Sequence, residues 1–407
     1  MDDGSNYAFI GVDVHKEQHT AVVIDWWTRV LGEFTFESKI SVYPEFIKEL
    51  KKKIPENLNL IFGLEDVGGN GRSLAVFLKE NGYIVKEVNP SYSSSERKSY
   101  PTTLKNDTWD AKCIAEVLVK KIDILKEANP SDLYWTLKQF VYRRDSIVKS
   151  LSITKIQLHE QLTKSYTSYK KFFAEIEGKT ALAFWEKYPS PSKLKNITTK
   201  ELKEFLLEAS NNSCSTKKAE SILSFIAGDG DTFREYQEHR DELVRSYVRY
   251  IRFCRKEIEE LESHMKQIIS KLDYKLETLT GVGIVTASQI IAEIGDINRF
   301  ESADKLAKYA GVAPTNFSSA GKGRDVKSKQ GNRRLNGVLF LLAKQQVQLT
   351  KNTGKPRNPI LYEYYLRKTG ERKSKSKVPA LICIMRRLVN IIYGMMKNKT
   401  EYVMEYR

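Results

Sequence analysis

Between Val244 and Leu272 the apolar residues Val244, Tyr247, Ile251, Cys254, Ile258, Leu261, Met265, Ile268 and Leu272 recur at alternating steps of three and four. That rhythm keeps a narrow apolar stripe along one side of a long helix, as in a coiled-coil seam, and a lone helix cannot bury such a stripe on itself. A looser run within residues 130–177 offers a partner through Leu133, Leu137, Phe140, Ile147, Leu151 and Leu158, interrupted by Arg144 and Thr154. The two runs are expected to form an antiparallel pair, or arms that pair between subunits. Between them, Pro189, Pro191 and the polar Asn211-Asn212-Ser213 turn mark a small helical insert at about 179–230. Lys and Arg along these helices, among them Arg143, Lys149, Arg245 and Arg252, form either a solvated face or one that follows phosphates. A chain of 407 residues is too long for one hydrophobic core, and this arm divides it into a part before and a part after.

Ahead of the arm the pattern is α/β. Residues 7–12, 20–24 and 30–36 are apolar runs separated by polar turns, which predicts a three-strand meander. Pro44 opens a helical pattern through Phe46, Ile47 and Leu50. Residues 58–64 then read as a buried strand that stops at Glu65, with Gly68, Gly69 and Gly71 close behind. A helix over 72–81 and a strand over 84–88 complete the unit, which Asn89-Pro90 closes. Strands, helix, strand, helix, strand, helix is the order of a ribonuclease-H-like domain.

Acids stand at the ends of these elements. Asp13 ends the first strand and Glu65 the fourth, while Asp107 and Asp110 open a later helical pattern (Ala111, Ile114, Ala115, Val117, Leu118) and share one face of its first turn. Taken singly, each has an ordinary account as a turn, loop or helix-capping residue. Together they converge where α/β sheets gather ligands, beyond the carboxyl ends of strands. Four carboxylates there would raise one another's pKa unless one or two Mg²⁺ ions neutralised them, with Mn²⁺ as an alternative. Such ions polarise a phosphodiester and steady its attacking and leaving oxygens.

After the arm, residues 276–294 run helix, Gly281-Val282-Gly283, apolar helix, which predicts a helix-hairpin-helix with phosphate-binding amides at its turn. A basic tract follows from Tyr309 to Arg334. Gly311, Pro314, Gly321 and Gly323 argue against regular structure in it, and Lys322, Arg324, Lys327, Lys329, Arg333 and Arg334 supply cations for nucleic acid. Ser318 and Ser319 stand in its middle, where a serine can attack phosphorus if its proton is removed and the developing charge is held. The remainder carries a Tyr-rich helix around Leu361, Tyr364 and Tyr365 and an apolar helix over 380–396, expected to pack on the hairpin region.

Lys and Arg exceed Asp and Glu by 67 to 51, a formal charge of +16, which favours a polyanionic partner, nucleic acid before membrane. Cys113, Cys214, Cys254 and Cys383 are scattered without metal spacing, so neither zinc nor a disulfide framework is indicated. No signal sequence is legible, and no apolar run approaches bilayer length. A reducing cytoplasm is the expected setting.

Gly11-Val-Asp-Val-His-Lys16, Glu65 followed by Gly68, Lys105-x-Asp-x-x-Asp-Ala111, Leu279-Thr-Gly-Val-Gly283, and Tyr309-Ala-Gly-x-x-Pro314 with a serine five residues later occur in one order. In that order the chain resembles, over nearly its whole length, the DEDD-type transposases of insertion sequences, the bridge-RNA-guided recombinases, with their relatives the Piv DNA invertases. The resemblance implies a RuvC-like catalytic domain (1–125) holding Mg²⁺ on Asp13, Glu65, Asp107 and Asp110, and a coiled-coil domain with its insert (126–271). A mainly helical transposase domain (272–407) then carries a serine nucleophile. Spacing from Pro314 matches that nucleophile to Ser319, beside Ser318. Two positions depart from the family pattern, Ala320 where glycine is usual and Val67 where threonine or serine is usual. The implied partners are target and donor DNA, a structured guide RNA and further copies of the chain, as dimers joining into tetramers. The residues alone leave open a Mg²⁺-dependent junction nuclease acting by hydrolysis, or a nucleic-acid-binding scaffold without chemistry.

Overall fold

The computed structural model describes residues 6–101, 106–213, 216–313, 315–319, 322–326, 331–370 and 376–404; for 315–319 and 322–326 the description is of backbone. Contacts divide the chain into two compact units, Met1–Trp135 and Thr136–Arg407. The first is a mixed α/β unit and the second is mostly helical.

The first unit holds β1 (Tyr7–Val14), β2 (Gln18–Ile24), β3 (Val30–Glu37), α1 (Tyr43–Lys53), β4 (Asn59–Leu64), α2 (Arg72–Glu80), β5 (Ile84–Glu87), α3 (Pro90–Lys98), α4 (Asp107–Lys121) and β6 (Lys126–Glu127). The six strands form one sheet in the order β3-β2-β1-β4-β5-β6. β1, β2 and β3 make the expected antiparallel meander, and β4 and β5 continue the sheet parallel to β1 and β4. Side chains alternate across a strand, so each face collects its own core. Ala8, Ile10, Val12, Phe62 and Leu64 join Phe46, Leu50, Leu74 and Leu78 of α1 and α2 on one face. Phe9 and Ile61 join Ile114, Ala115 and Leu118 of α4 on the other.

α3 departs from the sequence reading. Asn89-Pro90 opens a helix instead of closing the unit: the Asn89 side chain accepts a hydrogen bond from the Ser91 amide at 2.9 Å and Pro90 takes the first turn, where its missing N–H is no loss.

The second unit holds α5 (Asp132–Ser165, which begins in the first), α6 (Lys179–Lys187), α7 (Thr199–Ala209), α8 (Thr216–Asp229), α9 (Gln237–Ser270), α10 (Ile284–Ile294), α11 (Ala303–Tyr309), β7 (Thr315–Ser319), β8 (Lys322–Val326), α12 (Arg333–Gln346), α13 (Pro359–Gly370) and α14 (Val378–Asn398). α5 and α9 run antiparallel: Arg144 pairs with Glu262 at 2.8 Å, Phe140 lies against His264, and Leu158 and Leu162 share a core with Val244 and Val248. Val244, Ile251, Cys254 and Met265 of the seam are buried. The insert is built from α6, α7 and α8 around Phe172, Phe184 and Trp185.

Two expectations for this unit are corrected. The tract judged too rich in Gly and Pro for regular structure contains an antiparallel hairpin, β7 with β8, in which Ser319 pairs with Lys322. A glycine shortly after a strand marks a tight hairpin as readily as an irregular loop. Secondly, α14 is long and apolar enough, by length and composition, to cross a membrane. Its Ala380, Ile384, Leu388 and Ile392 are instead buried, and it packs on α11, α12 and α13.

Candidate functional site

In β1 the residues facing α1 and α2 are Ala8, Ile10, Val12 and Val14, so Gly11 and Asp13 face α4. In β4, Ile61 and Gly63 face α4 by the same parity, and Glu65 follows one step beyond the strand. Val12 pairs with Leu64, so the next step along these parallel strands brings Asp13 and Glu65 side by side. Two adjacent strands thus end in a carboxylate on the same face.

What covers that face is set by glycine. Gly11 pairs with Gly63, and α4 lies directly on the smooth floor they make. A Cβ on Gly11 would collide with the Ala111 carbonyl oxygen and the Ala115 amide, and one on Gly63 would stand 2.7 Å from the Leu118 side chain. Asp107 precedes Ala111 by one helical turn, and Asp13 follows Gly11 by two residues. The start of α4 is fixed by Asn106, whose side chain accepts from the Trp109 amide at 2.7 Å, a cap worth about 1 kcal/mol. That cap puts Asp107 and Asp110 in the first turn, where the helix dipole favours their charge.

The result is a cluster. His15 Nε2 lies 3.1 Å from Asp13 Oδ2 and 3.5 Å from Asp107 Oδ1, and one ligand atom from each of the three residues falls within 4.8 Å of the others. Asp13 is largely buried while Asp107 is exposed, so the group is open to solvent on the α4 side. Burial raises the Asp13 pKa first; His15 opposes this, and the Asp110 and Asp107 carboxylates add to it. The Glu65 pKa is also raised, by burial first, against a hydrogen bond from the Ser93 hydroxyl and with the charges of Asp13 and Asp110 adding. Asp110 is met by Arg97, whose Nε is 2.7 Å from Oδ1 in an ion contact too far off line for a hydrogen bond; among the described residues neither atom has a hydrogen-bond partner.

Carboxylates that push one another's pKa upward are what a bound cation relieves. Asp13, Asp107 and the His15 imidazole offer a hard divalent ion three donors and so fit such a metal, while Glu65 and Asp110 stand outside this group, met by Ser93 and Arg97. His15, Arg97 and Ser93 were not singled out from sequence. His15 was visible as the residue two past Asp13, on the same face of the chain. Arg97 and Ser93 sit on α3, the helix hidden behind Asn89-Pro90.

Ser319 belongs to the second unit, on β7, and Ser318 pairs with Gly323 beside it. Gly281 has φ of 82°, the left-handed turn that glycine allows, and Gly283 caps α10 without a side chain. Arg333 opens α12, and the Arg334 guanidinium lies 3.6 Å from the centre of the Tyr142 ring. Lys322 and Arg324 lie on β8. Lys105, Pro314, Lys327 and Lys329 fall outside the described residues.

Residues 10–167 match the DEDD transposase family of IS110 type, and residues 273–359 match the transposase IS116/IS110/IS902 family. The chain belongs to the IS110/IS116 family of DEDD transposases. Such enzymes cut and join DNA strands. This transposase is 22% identical over 394 residues to an IS116 insertion-element protein of Streptomyces clavuligerus, covering 96% of this chain and 95% of that one. It is 22% identical over 406 residues to the transposase for insertion sequence IS1111A of Coxiella burnetii, covering 97% and 90% of the two chains. Over 181 residues it is 30% identical to the pilin gene-inverting protein of Moraxella lacunata, covering 42% of this transposase and 52% of that protein.

Proposed function

We propose that this transposase is an RNA-guided DNA recombinase of an insertion sequence, which cleaves and exchanges strands through Ser319 with the help of a metal held by its DEDD acids. The observation that carries the reading is the convergence of Asp13, Glu65 and the first turn of α4 on one face of a sheet, in a chain that also presents a serine hairpin amid cations. Strand order and acid placement support a RuvC-like, ribonuclease-H-like catalytic domain at 1–125. The antiparallel arm supports a coiled-coil domain at 126–271, and Gly281 with Gly283 supports a helix-hairpin-helix within a transposase domain at 272–407.

Asp13, Glu65, Asp107 and Asp110 would hold Mg²⁺, or Mn²⁺, together with His15. When bound, the ion polarises the phosphodiester and lowers the cost of its added charge. Ser319 Oγ bonds to phosphorus as the bond to the departing deoxyribose oxygen breaks; the serine gives up its proton and the departing oxygen takes one up. The reverse reaction with an exchanged strand restores the serine. Lys322, Arg324, Arg333 and Arg334, with the amides at Gly281 and Gly283, hold phosphates and carry no sequence information. Base pairing with a structured RNA then reads the target and donor DNA, which suits the net charge of +16. Dimers joining into tetramers bring the acids of one subunit to the serine of another.

The test is to trap cleavage with DNA, the element's noncoding RNA and Mg²⁺ on a denaturing gel. A covalent protein-DNA adduct absent from Ser319→Ala and present in Ser318→Ala supports the reading. Free ends without adduct, unaffected by Ser319→Ala, replace it with metal-dependent hydrolysis, and no difference between wild type and Asp13→Ala leaves a scaffold.

A further inference from the structure

The described residues on either side of the β7–β8 hairpin, 309–311 and 331–336, meet at one point. Gly331 has φ of 116°, and a Cβ there would stand 2.6 Å from the Gly311 amide nitrogen. The Asn332 amide donates to the Tyr309 carbonyl at 2.7 Å, and the Asn336 side chain donates to the Ala310 carbonyl at 2.9 Å. The two flanks of the hairpin are therefore tied to each other.

A polar network lies beneath this tie. Asn332 Oδ1 caps α12, accepting from the Leu335 amide at 2.9 Å. Its Nδ2 donates to Glu293 Oε2 at 2.7 Å and to the Tyr309 hydroxyl at 3.0 Å, so both amide hydrogens are used. The Tyr309 hydroxyl donates to the Glu293 carbonyl oxygen at 3.0 Å. Glu293, nearly fully buried, accepts at Oε1 from the Tyr142 hydroxyl at 3.0 Å, with the Lys138 ammonium 3.9 Å from Oε2. Four elements, α5, α10, α11 and α12, are joined by one carboxylate and one amide. Glu293 is buried and Asn332, Tyr309 and Tyr142 are half-buried, and a polar network shielded from water with its members paired favours a single arrangement and is costly to leave half made.

We infer that Asn332 and Glu293 are positioning residues for strand cleavage: they fix the root of the hairpin that presents Ser319 to DNA, and they touch no substrate themselves. The inference rests on the reading of Ser319 as nucleophile. Nothing about a helix cap alone calls for Glu293, since an aspartate at position 332 would cap α12 equally well. The donating side of Asn332 is what an aspartate lacks, and there it would set a carboxylate against Glu293.

The test is a polarity swap. Asn332→Asp keeps the cap and opposes two carboxylates at the root. Adduct formation in a single turnover is expected to fall by about a hundredfold, the cost of a reacting group displaced by about 1 Å. DNA affinity is expected to stay within about threefold of wild type. The double variant Asn332→Asp with Glu293→Gln restores a donor facing an acceptor, and is expected to recover the rate to within about tenfold. Hydrogen exchange of the β7–β8 amides should rise in Asn332→Asp and return in the double variant. Adduct formation at the wild-type rate in Asn332→Asp overturns the inference, as does a folded double variant that stays inactive with its hairpin amides fast. A wild-type protein that forms no adduct overturns the nucleophile reading and this role with it.

Discussion

Gly11 lies so close beneath Ala111 that any side chain on the strand would occupy the position of the helix carbonyl. The strand residue two further on is Asp13, and the helix residue one turn back is Asp107, so this single contact sets the separation of two carboxylates. Gly11→Ala must lift α4 from the sheet, since the colliding atoms are backbone and cannot rotate away. The expected outcome is a loss of about 1–3 kcal/mol of stability in the first unit, with divalent-metal affinity reduced by about tenfold or more. Gly68→Ala is the control, because a Cβ there meets nothing within 4 Å. Calorimetric titration of Mn²⁺ into both variants checks this, and equal affinities would show that α4 does not set the site.

His15 gives a second handle on the same cluster. Its imidazole is the one nitrogen donor in the candidate group of Asp13, His15 and Asp107, and nitrogen suits Mn²⁺ better than Mg²⁺. His15→Ala is expected to lower Mn²⁺ affinity by about tenfold and Mg²⁺ affinity by less. Equal losses for both ions would place His15 outside the metal's ligands.

Much of this architecture was legible because alternation and strand length are properties of short stretches. The runs at 7–12 and 58–64 located strands whose ends are Asp13 and Glu65, and the apolar helical pattern from Ala111 located the turn carrying Asp107 and Asp110. Three features stayed hidden, each for a physical reason. α3 begins at a proline that also ends segments, so Arg97 and Ser93 went unplaced. The β7–β8 hairpin is built from residues whose glycines serve turns and loops alike. The Glu293–Asn332 bond joins residues 39 apart in sequence, and no local pattern announces such a pair.

His19 supplies a pH dependence separate from the acids. It is fully buried against Phe36 and Tyr43, and neither ring nitrogen has a hydrogen-bond partner among the described residues. Burial first, and then the neighbouring His15, pushes its pKa from 6.5 down to about 4. Above pH 6.5 the imidazole is neutral in both states and the shift has no effect on stability. As pH falls from there toward 4, the unfolded chain takes up a proton that the folded chain refuses, and stability declines by up to about 3 kcal/mol. His19→Phe keeps a ring in the same packing and removes the proton site. Its thermal midpoint should therefore fall less than that of wild type between pH 7 and pH 4.5, and parallel declines would refute the assignment.

Arg97 meets Asp110, one of the four acids of the proposed metal site, so a cation bound there would compete with the guanidinium for one carboxylate. The contact has Nε 2.7 Å from Oδ1, yet its geometry is off line for a hydrogen bond, which leaves charge as its main attraction. Removing the guanidinium frees Asp110 and also takes away a positive charge that repels an incoming ion. Arg97→Ala is expected to bind Mn²⁺ about three- to tenfold more tightly than wild type, the affinity equivalent of a partly exposed ion pair of about 1 kcal/mol. Arg97→Lys keeps the charge and should stay near the wild-type value. Weaker binding in Arg97→Ala would mean that the pair builds the site by holding Asp110 in place, and that Arg97 and the metal do not compete.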